Sequence, residues 1–169
     1  PGKSRLDLLK ENARITTSVE EVFKAYAGMV VVVANPVDVL TQVLQEASSL
    51  ALERVMGTRT MLDTSFLREV MGRHRNLSPW SIHAHIVREH GDSEVALWSS
   101  ARIGGTTLRD WPGWDAANEV MVVEEVRIAA SEIIKRKGST NHAIGLVTAS
   151  LVGYILRCEQ RVLTVLRLQ

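Results

Sequence analysis

Six residues constrain this chain more than any others: Met29-Val30-Val31-Val32-Val33-Ala34, an apolar run with β-branched side chains on both faces. Successive residues of a strand point to opposite sides, so this strand has no face suited to water. It needs cover above and below, as in a parallel sheet flanked by helices. The flanks offer that cover. Leu6, Leu9, Ala13, Val19, Val22 and Phe23 recur at helical spacing with charges between them, which predicts a helix over residues 4–26, ended by Gly28. Asn35-Pro36 closes the strand, and a second helix is expected over 37–50. Val55-Met56 reads as a short strand, Gly57 as a turn, and residues 61–73 as a third helix. Helix, strand, helix, strand, helix is half of a doubly wound α/β sheet.

The remainder changes character. Residues 81–87 and 95–103 alternate like strands, with Gly104-Gly105 as a turn and Trp111 to Trp114 as a loop. A long amphipathic helix is expected over 118–137, with Val120, Val123, Val126, Ala130, Ile133 and Ile134 on one side and Gly138 as its stop. Lys135-Arg136-Lys137 suits the negative end of its dipole better than a binding patch. A more apolar helix follows over 143–158, placing Cys158 in register as a buried, reduced thiol, and residues 161–168 read as a strand. With a net charge of +1, the chain shows no pull toward nucleic acid or acidic membranes. No apolar run approaches the roughly 18 residues of a membrane span. The start at Pro1-Gly2-Lys3, without a Met, suggests that something upstream was removed.

Four groups could carry chemistry. Glu89-His90-Gly91-Asp92-Ser93 is a polar run after a strand, and His90 could exchange protons near neutral pH. A solvated turn histidine is the plainer alternative. His83 and His85 share a strand face and, with His90, could form a three-histidine metal site, as in a metal-dependent hydrolase or lyase. Asp63 opens the third helix, where a carboxylate either caps the helix or serves a site. Asn35-Pro36 is a candidate cis turn that could aim the Asn amide at a ligand, or a plain end to the strand.

The order and spacing of these pieces resemble the lactate and malate dehydrogenase family. The resemblance rests on PGKSRLDLL (1–9), ANPVDVLT (34–41), LDT (62–64), EHGDS (89–93), VALWSSARIGG (95–105) and KGSTNHAIG (137–145). It runs to about Val165, and the lactate branch in its bacterial form fits better than the malate branch. The resemblance implies the second half of a Rossmann-like parallel sheet (1–58, the C-terminal part of an NAD-binding domain). Part of an α+β catalytic domain would follow (59–169). It implies hydride exchange between NAD and pyruvate or L-lactate, in a cytoplasmic homo-oligomer, with both ends of the family's chain missing. His90 would be the proton donor and acceptor, Asp63 its orienting carboxylate, and Arg5 the mobile-loop group that polarises the carbonyl. Asn35 would touch substrate and nicotinamide, with Pro36 its cis-proline. Thr140 would line the substrate pocket. Arg68 and His83 would match an allosteric site for fructose 1,6-bisphosphate.

The chain also departs from the family's pattern. Phe66 stands where the family has the arginine that grips the substrate carboxylate, and no arginine close in sequence replaces it. Losing such a pair costs roughly 2–5 kcal/mol of binding. Arg59 and Arg88 stand where glycines are usual, which invites strain wherever φ is positive. No G-x-G-x-x-G phosphate turn occurs in the 169 residues. The expectation is therefore an oxidoreductase of impaired activity. The alternatives are a non-catalytic relative acting as an interaction protein, or the histidine metal hydrolase.

Overall fold

The structure is a computed structural model that describes residues 28–90, 93–138 and 140–168. The helix expected over 4–26, together with Arg5, Gly91 and Asp92, lies outside the described residues.

Strands β1 (Val30–Val32) and β2 (Val55–Gly57) pair in parallel, with Val30 opposite Val55 and Val32 opposite Gly57. Helix α1 (Val37–Ser48) makes the crossover. Its buried residues are Val37, Thr41, Gln45 and Ser48, one helical face laid on the strands. Gly57 lets that face come close. A Cβ there would stand 2.5 Å from Thr41 Oγ1 and 3.0 Å from Val37 Cγ2. The crossover helix meets part of what the Met29–Ala34 run demands: Val32 is buried, Val30 and Val31 are half-buried, and Met29 is exposed.

The second part is built around helix α2 (Met61–Arg75), whose Leu67, Val70 and Met71 enter the main core. The residues expected as one strand over 81–87 divide into β3 (Ile82–His83) and β4 (Ile86–Val87). Those expected over 95–103 divide into β5 (Val95–Ala96) and β6 (Arg102–Ile103). β7 (Thr106–Thr107) follows the Gly104-Gly105 turn. β3, β6 and β7 form one antiparallel sheet, and β4 pairs with β5 in another. Alternation continues across the break: Ile82, Ala84 and Ile86 are buried, and Ile103, Leu108 and Val122 join them. Burial periodicity therefore reads as one strand, while the hydrogen-bond partner changes at Ala84 and His85.

Helix α3 (Ala116–Lys137) starts slightly earlier than its periodicity shows, because Asp115 caps it by accepting from the Asn118 N–H at 2.9 Å. It ends at Gly138, with φ +80°, whose N–H donates to Ile134 O at 2.8 Å. Helix α4 (Asn141–Leu156) follows. Two expectations fail beyond it. Cys158 is exposed, not buried. It lies past the helix end with φ +51°, so it has left the periodic face. Residues 161–168 form no strand of their own; Leu166 makes a single antiparallel bridge to Gly57. No described helix is long and apolar enough to cross a membrane.

Candidate active site

The end of β1, the turn after β2, the start of α2 and the segment after β4 meet around one cavity of about 370 Å³. Asn35, Asp63, His90 and Thr140 all line it, along with Phe66 and Arg59. It sits beyond the carboxyl ends of two parallel strands, where ligands bind in open α/β sheets. The Asn35–Pro36 peptide is cis.

Two threonines of α2 and its approach fix the geometry. Thr60 Oγ1 donates to Ile86 O at 2.7 Å, and the Ile86 N–H donates to Thr64 Oγ1 at 3.0 Å. Both polar backbone atoms of one β4 residue are thus tied to the first turn of α2. Asp63 lies between these threonines, and His90 follows β4 by a short segment. Asp63 and His90 are brought together from 27 positions apart: His90 Nδ1–H donates to Asp63 Oδ2 at 2.6 Å. The Asp63 side chain is 10% exposed and that of His90 31%. The hydrogen bond to Asp63 raises the His90 pKa above its ordinary value; burial opposes it, and the charges of Asp63, Glu94 and Asp38 add to it. The pair therefore favours an imidazolium whose Nδ1 is held by the carboxylate, which leaves Nε2 for a ligand.

The two arginines in glycine-like positions both have positive φ: +39° at Arg59 and +76° at Arg88. Arg59 Nε lies 3.2 Å from Asp38 Oδ1. Neither atom is aligned for a hydrogen bond, so the contact is one of charge.

The three histidines expected as a metal set do not assemble. Among the described residues, the one group of three or more acidic, cysteine or histidine side chains whose ligand atoms all lie within 4.8 Å of one another is Asp63, His90 and Glu94. His85 is occupied elsewhere: Arg68 Nη2 donates to His85 Nε2 at 3.0 Å, and Arg68 Nε donates to Ala84 O at 3.0 Å. Burial, then Arg68, then His83 push the His85 pKa down, so it stays neutral and can accept. Arg68 and His83 line a different cavity of about 640 Å³, which Arg161 also borders.

Sequence reasoning missed two residues of the first cavity. Glu94 is a buried carboxylate beside His90. Arg127 of α3 also lines the wall. Neither leaves a trace in periodicity, since a charge on an amphipathic helix or after a polar loop reads as solvated.

Residues 60–167 match the profile of the lactate/malate dehydrogenase alpha/beta C-terminal domain. The chain belongs to this family. Residues 1–57 match the family's NAD binding domain. The L-lactate dehydrogenase of Salinibacter ruber is 44% identical over 171 residues, covering 98% of this chain and 54% of that protein. That of Thermus aquaticus is 42% identical over 172 residues, covering 98% and 56%. Among solved structures, the minor L-lactate dehydrogenase of Enterococcus mundtii in its ligands-bound form superimposes with a TM-score of 0.85 at 38% identity. It covers all of this chain and 56% of its own. The chain thus spans about half the length of the relatives it matches.

Proposed function

We propose that this chain carries the proton-transfer centre of an NAD-dependent L-lactate dehydrogenase-type oxidoreductase acting on pyruvate or a related 2-oxo acid. The observation that carries this reading is the 2.6 Å His90–Asp63 pair inside a cavity at the carboxyl ends of parallel strands. His90, protonated, donates from Nε2 to the keto oxygen of the substrate and takes the proton back in the reverse direction. Asp63 holds Nδ1 and stabilises the charged ring. Asn35 and Thr140 would contact the substrate. Arg5 would polarise its carbonyl, by the same resemblance, from outside the described residues.

The residues present fit the nicotinamide end of NAD. The cavity joins apolar Val33, Val37 and Leu62 to the polar Asn35 and Thr58. That mixture suits a flat amide-bearing ring. Asn35 and Pro36 would hold that end, and the family's Gly-rich turn for the pyrophosphate has no counterpart in this sequence. When bound, NAD supplies or accepts the hydride.

We read residues 1–58 as the latter part of the NAD-binding domain and 59–169 as the catalytic part. Arg68, His83 and Arg161 border the second large cavity and support a site for a sugar bisphosphate, although Arg68 is held by Ala84 O and His85 and Arg161 by Glu159. Trp80, Leu146 and Val162 are 81%, 72% and 87% exposed and border one groove, which supports a homo-oligomer. A cytoplasmic location goes with this reading.

The test is NADH consumption on adding pyruvate, followed by absorbance, in the parent and in His90→Asn. The proposal expects consumption by the parent and its loss in the variant. Equal rates in both would end it.

A further inference from the structure

Two arginines line the cavity that holds His90, Arg59 and Arg127. They are not equally available. Arg59 stands 3.2 Å from Asp38, so its charge is already met. Arg127, exposed on α3, makes no hydrogen bond or ion pair with any other described residue. Its neighbour Val126 is 4% exposed and lines the same wall, so the backbone that carries Arg127 is anchored at the cavity edge. Apolar residues form much of the rest: Phe66 and Leu62 of α2 and Ile144 of α4. Asp63 and Glu94 are both buried residues.

This charge pattern restricts what can enter. His90 pairs with Asp63, and Glu94 is a second buried carboxylate with an oxygen within 4.8 Å of that pair. An acid entering the cavity needs a cation of its own, because an unpaired carboxylate out of water is costly. Phe66 cannot supply one. A guanidinium can, and its planar fork donates to both carboxylate oxygens at once.

We propose that Arg127 anchors the carboxylate of the 2-oxo acid and that the acid's apolar side chain lies toward Phe66. The inference rests on the oxidoreductase reading above and deepens it by naming the substrate class: 2-oxo acids with side chains larger than the methyl of pyruvate. Such a side chain gains burial against the Phe66 ring and Ile144, which a methyl is too small to cover.

Two arms test it on the purified protein with NADH present. In the first, oxamate is titrated by calorimetry; it is an isostere of pyruvate with no ketone to reduce. Arg127→Gln should raise its dissociation constant about 10- to 100-fold, the loss of one hydrogen bond to a charged group. Arg127→Lys should fall between, and Arg59→Gln should change it less than Arg127→Gln does. Because Arg127 is exposed, its variants should keep the parent's melting temperature. Parent-like binding in Arg127→Gln, a larger loss in Arg59→Gln, or no binding by the parent overturns the anchor. In the second arm, 4-methyl-2-oxopentanoate should give a higher kcat/KM than pyruvate, and Arg127→Gln should raise KM for both. Pyruvate used as well or better overturns the assignment of Phe66. The two readings fail separately. Arg127-dependent oxamate binding without any turnover sinks the oxidoreductase and leaves the carboxylate site. Turnover that needs His90 but ignores Arg127 does the reverse.

Discussion

Replacing Asp63 with Asn removes one charge from the site and almost nothing else. Asn keeps the size of the side chain and can still accept from His90 Nδ1 through its amide oxygen. What it loses is the ionic half of a 2.6 Å contact between side chains that are 10% and 31% exposed. A hydrogen bond to a charged group contributes about 1.5–3 kcal/mol. The partial exposure of His90 argues for the lower part of that range, about 1.5–2 kcal/mol. That stabilisation favours the imidazolium over the neutral ring, so its loss lowers the His90 pKa. At a pH above the parent's His90 value, kcat/KM for 2-oxo acid reduction should fall about 10- to 30-fold. The acidic limb of the profile should lose less, because His90 is still protonated there. The assay is kcat/KM against pH for parent and Asp63→Asn, beside a proton-NMR titration of the His90 ring in each. The NMR titration reads the same effect without turnover. An unchanged His90 titration in the variant would refute the argument that Asp63 sets the charge of His90.

How far the sequence reaches can be seen in particular residues. The Met29–Ala34 run shows a parallel strand because β-branched side chains on both faces favour a sheet packed under helices, although only Val32 of the run is buried. Gly138 shows the end of α3 because few other residues adopt its φ of +80° without strain. The break between β3 and β4 is illegible, since buried alternation is the same whether one strand or two present it. Cys158 fits the helical period but sits just past the helix end, where the period no longer applies. Asn35, Asp63, His90 and Thr140 could be gathered only through the resemblance; locally each had a plainer explanation. Glu94 stayed hidden because a charge after a polar loop looks solvated until the tertiary fold closes round it, and Arg127 because an exposed charge on an amphipathic helix carries no local sign that a cavity borders it.

Other outcomes follow from the same coordinates. Arg88→Gly should raise stability by up to about 1 kcal/mol, read from the melting temperature. Relief of an exposed left-handed residue, worth about 1–2 kcal/mol, exceeds the extra chain entropy of Gly, about 0.4–1 kcal/mol. Gly57→Ala should cost about 1–3 kcal/mol by denaturant titration, because its Cβ would meet Thr41 Oγ1 at 2.5 Å and push α1 off β2. The raised His90 pKa gives a pH-dependent share of stability. That share is fully present below the unfolded histidine value, near 6.5, and is lost as pH rises through the higher folded value. The parent should therefore lose more melting temperature than His90→Asn across that window; parallel curves would contradict the linkage.

Isotope tracing follows the hydride from the nucleotide to the substrate. The protein is given NADH deuterated at the transferring C4 position and a 2-oxo acid, and the product is analysed by mass spectrometry. The expected product is a 2-hydroxy acid carrying deuterium at C2, formed by the parent and absent with His90→Asn. Recovery of the 2-oxo acid unchanged, with the label still on the nucleotide, would contradict it.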